Sequence, residues 1–211
     1  MRIPLVLAVL GGALLFFGNK ERSLASTAKA EPQVLTCAEL ADNGPGDNTH
    51  ITLADFEMLM WDSVQLVEEG GSSSEVKEVW VATVPLDPNY DPEFRQALEH
   101  WFATEDPSTE PPLPETFKVL AKFDDPESWE WVEEVAMRDE VTGLLINEIE
   151  EVGEEVAPLI TEFYPDLDLD SCYIFEVGRE PAGAGKVYGM MGGGLLLLLL
   201  GIGVAVKMVK S

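Results

Sequence analysis

The chain has 211 residues, 39 acidic against 13 basic side chains, and a net charge of −26. That charge repels nucleic acid and anionic headgroups at long range, which excludes a nucleic-acid partner. With 5 Trp, 9 Phe and 4 Tyr the chain is also too aromatic for a disordered acidic tail.

The charges are unevenly placed. Every Asp and Glu lies between Glu21 and Glu180, whereas Arg2, Lys20, Arg22, Lys29, Lys186, Lys207 and Lys210 all sit beside an apolar end segment. A solvated acidic surface is the plain explanation; a basic partner, a cation-rich medium and loosely held calcium compete with it.

Residues 3–18 are uncharged and follow Arg2, the pattern of a secretory n-region and h-region. Two readings stay open. A retained signal anchor is favoured, because Lys20, Glu21 and Arg22 crowd the approach to Ser23-Leu24-Ala25, and Ala28-Lys29-Ala30 lies far past the apolar run. A cleaved signal peptide is the alternative. Residues 19–32 read as a polar linker.

An acidic α+β domain is expected over residues 33–181. Thr36 with Glu39 three positions on forms a capping-box pattern for a short helix ending at Asn43-Gly44. Residues 44–48 are dense in turn formers. Residues 50–59 and 64–68 carry strand-like period two, and residues 70–74 predict a hairpin into a strand over 76–84. Asp91-Pro92-Glu93 starts a helix whose Phe94, Ala97, Leu98, Trp101 and Phe102 form one apolar face. Residues 106–114, with four prolines, read as a loop, and 117–123 as a strand.

Asp125-Pro126-Glu127 repeats the helix start, with Trp129, Val132, Val135 and Ala136 on the buried side. Trp129 and Trp131 cannot share a helix face, so one of them is expected to be exposed. Residues 141–149 predict a strand. Val156, Leu159, Ile160, Phe163 and Tyr164 predict a third amphipathic helix, and 171–177 the last strand. The whole predicts one mixed β-sheet with about three amphipathic helices packed on it, flanked by N- and C-terminal membrane helices.

Residues 187–206 are 20 uncharged residues bracketed by Lys186 and Lys207, the length of a bilayer crossing. A short basic cytoplasmic tail, 207–211, follows. By the positive-inside rule both chain ends are cytoplasmic and the acidic domain lies outside. Gly185, Gly189 and Gly193 recur every four residues, a small-xxx-small stripe suited to helix–helix packing. Ala8 and Gly12 offer a matching stripe on the first segment. The partners implied are the lipid bilayer and, through the glycines, a membrane protein or a second copy.

Cys37 and Cys172 stand near opposite ends of the domain. A disulfide is permitted outside the cytoplasm; two separate buried thiols are the other reading. Asp166, Asp168 and Asp170 alternate like the opening of a calcium loop. Ser171 then stands where the turn needs Gly, and Val177 where a bidentate Glu belongs, so no metal or cofactor is assigned. His50 and His100 have no partner at ligand spacing, and no nucleophile, zinc or phosphate-loop motif is present.

A small outer domain between two spans is similar in layout to oxidase-assembly proteins of one type. The likeness is of topology alone, and no shared motif carries their function over. The expectation is therefore a non-catalytic interaction or assembly module. The alternative is a carboxylate-dependent hydrolase acting on a cell-envelope substrate.

Overall fold

The structure is a computed structural model that describes residues 2–70, 73–87, 89–104, 111–147, 152–165 and 167–209. In chain order the elements are α1 (Arg2–Thr27), β1 (Gln33–Thr36), α2 (Cys37–Asn43), β2 (His50–Ala54), β3 (Phe56–Met58), β4 (Val64–Gly70), β5 (Ser73–Pro85) and α3 (Pro92–Thr104). There follow β6 (Val119–Asp124), α4 (Trp129–Ala136), β7 (Glu140–Leu145), α5 (Ala157–Phe163), β8 (Tyr173–Val177) and α6 (Ala184–Val209). The fold is mixed α+β with one mixed sheet. The chain divides into two units, Glu31–Glu180, and Met1–Ala30 with Pro181–Ser211.

Local chemistry accounts for most element boundaries in the first unit. The Thr36 hydroxyl accepts the Glu39 N–H at 3.1 Å while the Glu39 carboxylate accepts the Thr36 N–H at 2.9 Å, completing the capping box of α2. Gly44, at φ 71°, ends that helix and donates its N–H to Leu40 O. Asp91 Oδ1 accepts the Phe94 N–H at 3.0 Å and starts α3 one residue before Pro92.

The second Asp-Pro-Glu behaves differently. The backbone N–H of Asp125 is still tied to Lys77 O at 2.7 Å, an extension of the β5–β6 ladder, so the chain cannot turn helical there. Ser128 becomes the cap instead, its hydroxyl accepting the Trp131 N–H at 3.2 Å.

The sheet runs β1-β2-β7-β8-β6-β5-β3, with β4 also on β5. Pairs β1/β2 and β6/β8 are parallel and the others antiparallel. β3 and β4 are two parts of one edge against β5. Between them Leu59 keeps a bond to Ala82 O, and a 3-10 turn, Met60–Asp62, swings out of the ladder.

One face of the sheet buries Ile51, Leu53, Val79, Val81, Ala121 and Phe175 against Cys37 and Leu40 of α2 and Val132 and Val135 of α4. Trp129 and Trp131 both pack half-buried against this cluster, so neither is the exposed one expected from their spacing. Trp131 reaches it from the flank, edge-on to Phe123 at 5.9 Å. The opposite face buries Trp80, Leu120, Leu144 and Ile174, with Phe94 and Leu98 of α3 and Ile160 of α5 as its helical cover. Glu57 alternates with the core residues Phe56 and Met58, and its ion pair to Arg95 at 2.5 Å places α3 on that second side.

Several expected features change. The expected strand over 141–149 ends at Leu145, and residues 148–149 lie outside the described residues, as do 71–72 of the expected hairpin turn and 106–110 of the proline loop. The expected linker over 19–32 is helical as far as Thr27, because nothing between Asn19 and Thr27 breaks a helix.

In the second unit, α1 and α6 pair antiparallel. A Cβ on Gly11 would stand 2.7 Å from Gly194 O, one on Gly194 2.8 Å from Gly11 O, and one on Gly201 3.2 Å from Pro4 O. Gly11 and Gly18, like Gly194 and Gly201, are one heptad apart, the spacing of a left-handed helix pair. Both helices are long and apolar enough to cross a membrane.

In the sheet, Gly143 lies so close to Glu176 O on β8 that no side chain fits without moving backbone. Gly143→Ala is expected to lower stability by about 3 kcal/mol through overpacking, whereas Thr36→Ala is expected to cost about 1 kcal/mol. Urea unfolding curves of the two variants check the order.

Candidate functional site

Strand register brings the charges of the central strands together. Glu78 of β5 lies opposite Asp124 of β6, Trp80 opposite Lys122, and Lys122 opposite Glu176 of β8. Residues paired this way share a face, so four charged side chains and Trp80 meet over three adjacent strands. Lys122, only 4% exposed, puts its ammonium 3.1 Å from Glu78 and 3.8 Å from Asp124. It also sits 5.1 Å above the Trp80 ring, whose N–H donates to Glu78 at 2.9 Å.

Glu176 is 7% exposed and accepts from Arg179 at 2.6 Å. Burial raises its carboxyl above the ordinary carboxylate range, and Arg179 and Lys122 pull it back only in part. The cluster carries out no evident chemistry on its own. Buried Glu176 is held by Arg179 and buried Lys122 by Glu78, so neither charge stands unpaired in the core. Sequence reasoning passed over it; the signal was a single Lys in Val119–Asp124 and a single Glu in Tyr173–Val177, both otherwise apolar where buried.

A set of aromatic rings stands partly exposed around α3. Trp61, on the 3-10 turn, stacks tilted on Trp101 of α3 at 6.4 Å, and Trp101 meets Phe102 edge-on at 5.1 Å. Phe102 is 55% exposed. Ala97 is exposed as well, so the apolar face expected on α3 is covered at Phe94 and Leu98 and open elsewhere. Beside the turn, Asp62 faces the Tyr164 hydroxyl. Burial is the first cause that raises both groups. Tyr164 also stands edge-on to Phe117 at 4.8 Å.

A cleft of about 590 Å³ opens beside the start of α3. Phe94, Ala97, Pro112 and Leu113 line it, with the carboxylates of Glu93 and Glu115 and that of Asp91. Asp91 is committed to backbone: its second oxygen accepts the Glu115 N–H at 3.3 Å, its first the Phe94 N–H. Close by, the Tyr90 hydroxyl donates to Thr116 O at 2.7 Å, and burial pushes it up to about 12.

The residues singled out in the sequence fall as follows. Cys37 and Cys172 are free thiols, both buried. Cys37 Sγ points at Thr83 O and Cys172 Sγ at Phe117 O. Burial pushes each thiol up to about 12. The second reading, two separate buried thiols, is the one the structure displays.

Asp166 lies outside the described residues. Asp168 caps the 3-10 turn Leu169–Ser171, accepting the Asp170 N–H at 3.3 Å, so Asp170 lies in that turn. Among the described residues no group of His, Cys, Asp and Glu is arranged to hold a metal. His50 is buried at the start of β2, where its N–H donates to Asn48 Oδ1, and His100 is exposed on α3.

Gly185 and Gly189 face open space, and Gly193 reaches only Leu14 at 4.0 Å. The α1–α6 seam uses Gly194 and Gly201 instead, seven residues apart. Comparison with protein-family models, with curated proteins and with solved structures finds no match.

Two measurements follow from this geometry. In urea melts, Lys122→Met is expected to destabilise by about 3 kcal/mol and Glu78→Gln to recover part of that loss in the double variant, a coupling of about 1–2 kcal/mol. Glu176 binds its proton more tightly folded than unfolded, so its contribution to stability is present at low pH and fades as pH rises past the ordinary carboxylate value. Glu176→Gln is therefore expected to gain on the wild type as pH is raised from 4 towards 7, read from thermal melts across that range.

Proposed function

We propose that this chain is a membrane-tethered interaction or assembly module. In this reading α1 and α6 cross the bilayer side by side and hold the acidic domain, Glu31–Glu180, outside the cytoplasm. The observation that carries it is the make-up of the helix pair. Ile3, Leu5, Val6, Val9 and Leu10 of α1 and Leu195, Leu196, Leu199, Leu200 and Ile202 of α6 are all exposed, while glycine backbones meet between the helices. Such a surface is at home in lipid, and close glycine packing is how helices associate where the hydrophobic effect is absent.

The close Gly11–Gly194 approach also favours a retained first segment over a cleaved one, because removing α1 would strip the packed face of α6. Arg2 at one end and Lys207 and Lys210 at the other support cytoplasmic ends. A binding role fits a domain whose buried Lys122 and Glu176 are each ion-paired and which displays aromatic rings at Trp61, Trp101 and Phe102.

The sidedness is tested with thiols. Cys37 and Cys172 are buried and their high pKa keeps them protonated, so they stay silent in the folded chain at pH 8. A cysteine at Met137, which is 84% exposed, is expected to react with a membrane-impermeant maleimide in intact cells. A cysteine at Ser211 is expected to react only after permeabilisation. The reverse pattern would overturn the topology. Mild crosslinking of the full chain in its membranes, followed by co-purification, tests the module itself; a chain that crosslinks to nothing speaks against it.

A further inference from the structure

We infer that the cleft along α3 is a docking groove for an extended segment of a protein partner carrying a lysine or arginine beside a bulky apolar residue. The inference rests on the interaction-module reading and names the chemistry of its partner. The cleft, at about 590 Å³, is of the size that takes a few side chains. Its floor is apolar, from Phe94 and Ala97 on the helix to Pro112 and Leu113 on the facing segment.

The floor does not end at the cleft. Phe94, Ala97 and Trp101 follow at i, i+3 and i+7, so the stripe runs along the helix into the rings of Trp101, Phe102 and Trp61. Aromatic rings beside an apolar slot are the usual anchors of a protein contact.

The rim sets the sign of the partner's charge. Glu93 and Glu115 carry no ion pair among the described residues, and Asp91 pins the Glu115 backbone to the start of α3. The nearest cation in sequence, Arg95, is turned away to Glu57 and Pro85 O. Carboxylates left open above an apolar floor complement a cationic side chain whose neighbour fills the slot. A second copy of the domain is a poor occupant, because Glu31–Glu180 has only Lys77, Arg95, Lys118, Lys122, Arg138 and Arg179 to offer. An anionic bilayer surface would be repelled.

The test uses the full chain in zwitterionic detergent and a fluorescein-labelled peptide of alternating Arg and Leu, with a Glu-for-Arg peptide as its match. Anisotropy is expected to show binding of the cationic peptide only. Glu93→Lys with Glu115→Lys is expected to weaken it about tenfold. Ala97→Trp, which fills the floor without changing charge, is expected to do the same. Asp139→Lys with Glu140→Lys, the same charge change on the α4–β7 turn, is expected to alter it less than about twofold. Should the Lys pair melt early, Glu93→Gln with Glu115→Gln decides, with a loss of several-fold expected.

Equal weakening by the α4–β7 pair would reduce the binding to general attraction and overturn the groove, as would unchanged binding in Ala97→Trp. A partner that still crosslinks to the groove variants in membranes would overturn the groove and leave the module reading standing. Absence of any crosslinked partner from the wild type would overturn the module reading instead.

Discussion

The fold of the acidic domain depends on burying both faces of its central strands. β6 and β8 lie in the middle of the sheet, parallel to each other, with helices over either side. A strand in that position has no solvent face on which to leave a charge, so any ionisable residue it carries needs a partner at once. Lys122 and Glu176 are those residues. The pairing of Lys122 with Glu78 across neighbouring strands ties the register of β5 and β6 to an electrostatic requirement, while Glu176 is held by Arg179 three residues further on. A one-residue slip of β6 would send Lys122 into the apolar cluster around Val81 and Phe175, away from every carboxylate that now holds it.

The same scarcity of cations shapes the rest of the domain. Arg95 holds α3 to β3 through Glu57, and Lys77 lies near Glu68 and Asp125 around the β4–β5 hairpin. With Lys122 and Arg95 spent on internal positions and few other cations present, the surface is left strongly negative. The 3-10 turn and the outer side of α3 bring the rings of Trp61, Trp101 and Phe102 together, where the edge strand breaks between β3 and β4. A break in an edge ladder both blunts the edge against stray pairing and aims Trp61 outwards.

The helix pair α1–α6 solves a different problem. Over residues 3–18 and 187–206 its outward side chains are apolar, and the two helices meet through close backbone approach at glycines. Gly11 against Gly194 is the tightest point, and Gly18 and Gly201 repeat it one heptad away. Gly185 and Gly189, at the start of α6, stand clear of that seam.

Short-range signals are legible in the residues themselves. Thr36 with Glu39, and Asp91 with Pro92, name their helix starts because a cap is made within four residues of chain. The two apolar ends and the α+β character follow from runs and periods that need no partner. What the sequence alone leaves open involves distance along the chain. Asp125-Pro126 looks like a helix start until Lys77 O holds Asp125 in the ladder and passes the cap to Ser128. The glycines of α6 offer a four-residue and a seven-residue stripe, and only the partner helix selects Gly194 and Gly201. Cys37 and Cys172 have the composition of a bridge, yet each is buried in surroundings of its own. Local backbone preference is written in neighbouring residues; register, pairing and the open side of α3 are settled by contacts between residues tens of positions apart, which only the tertiary structure decides.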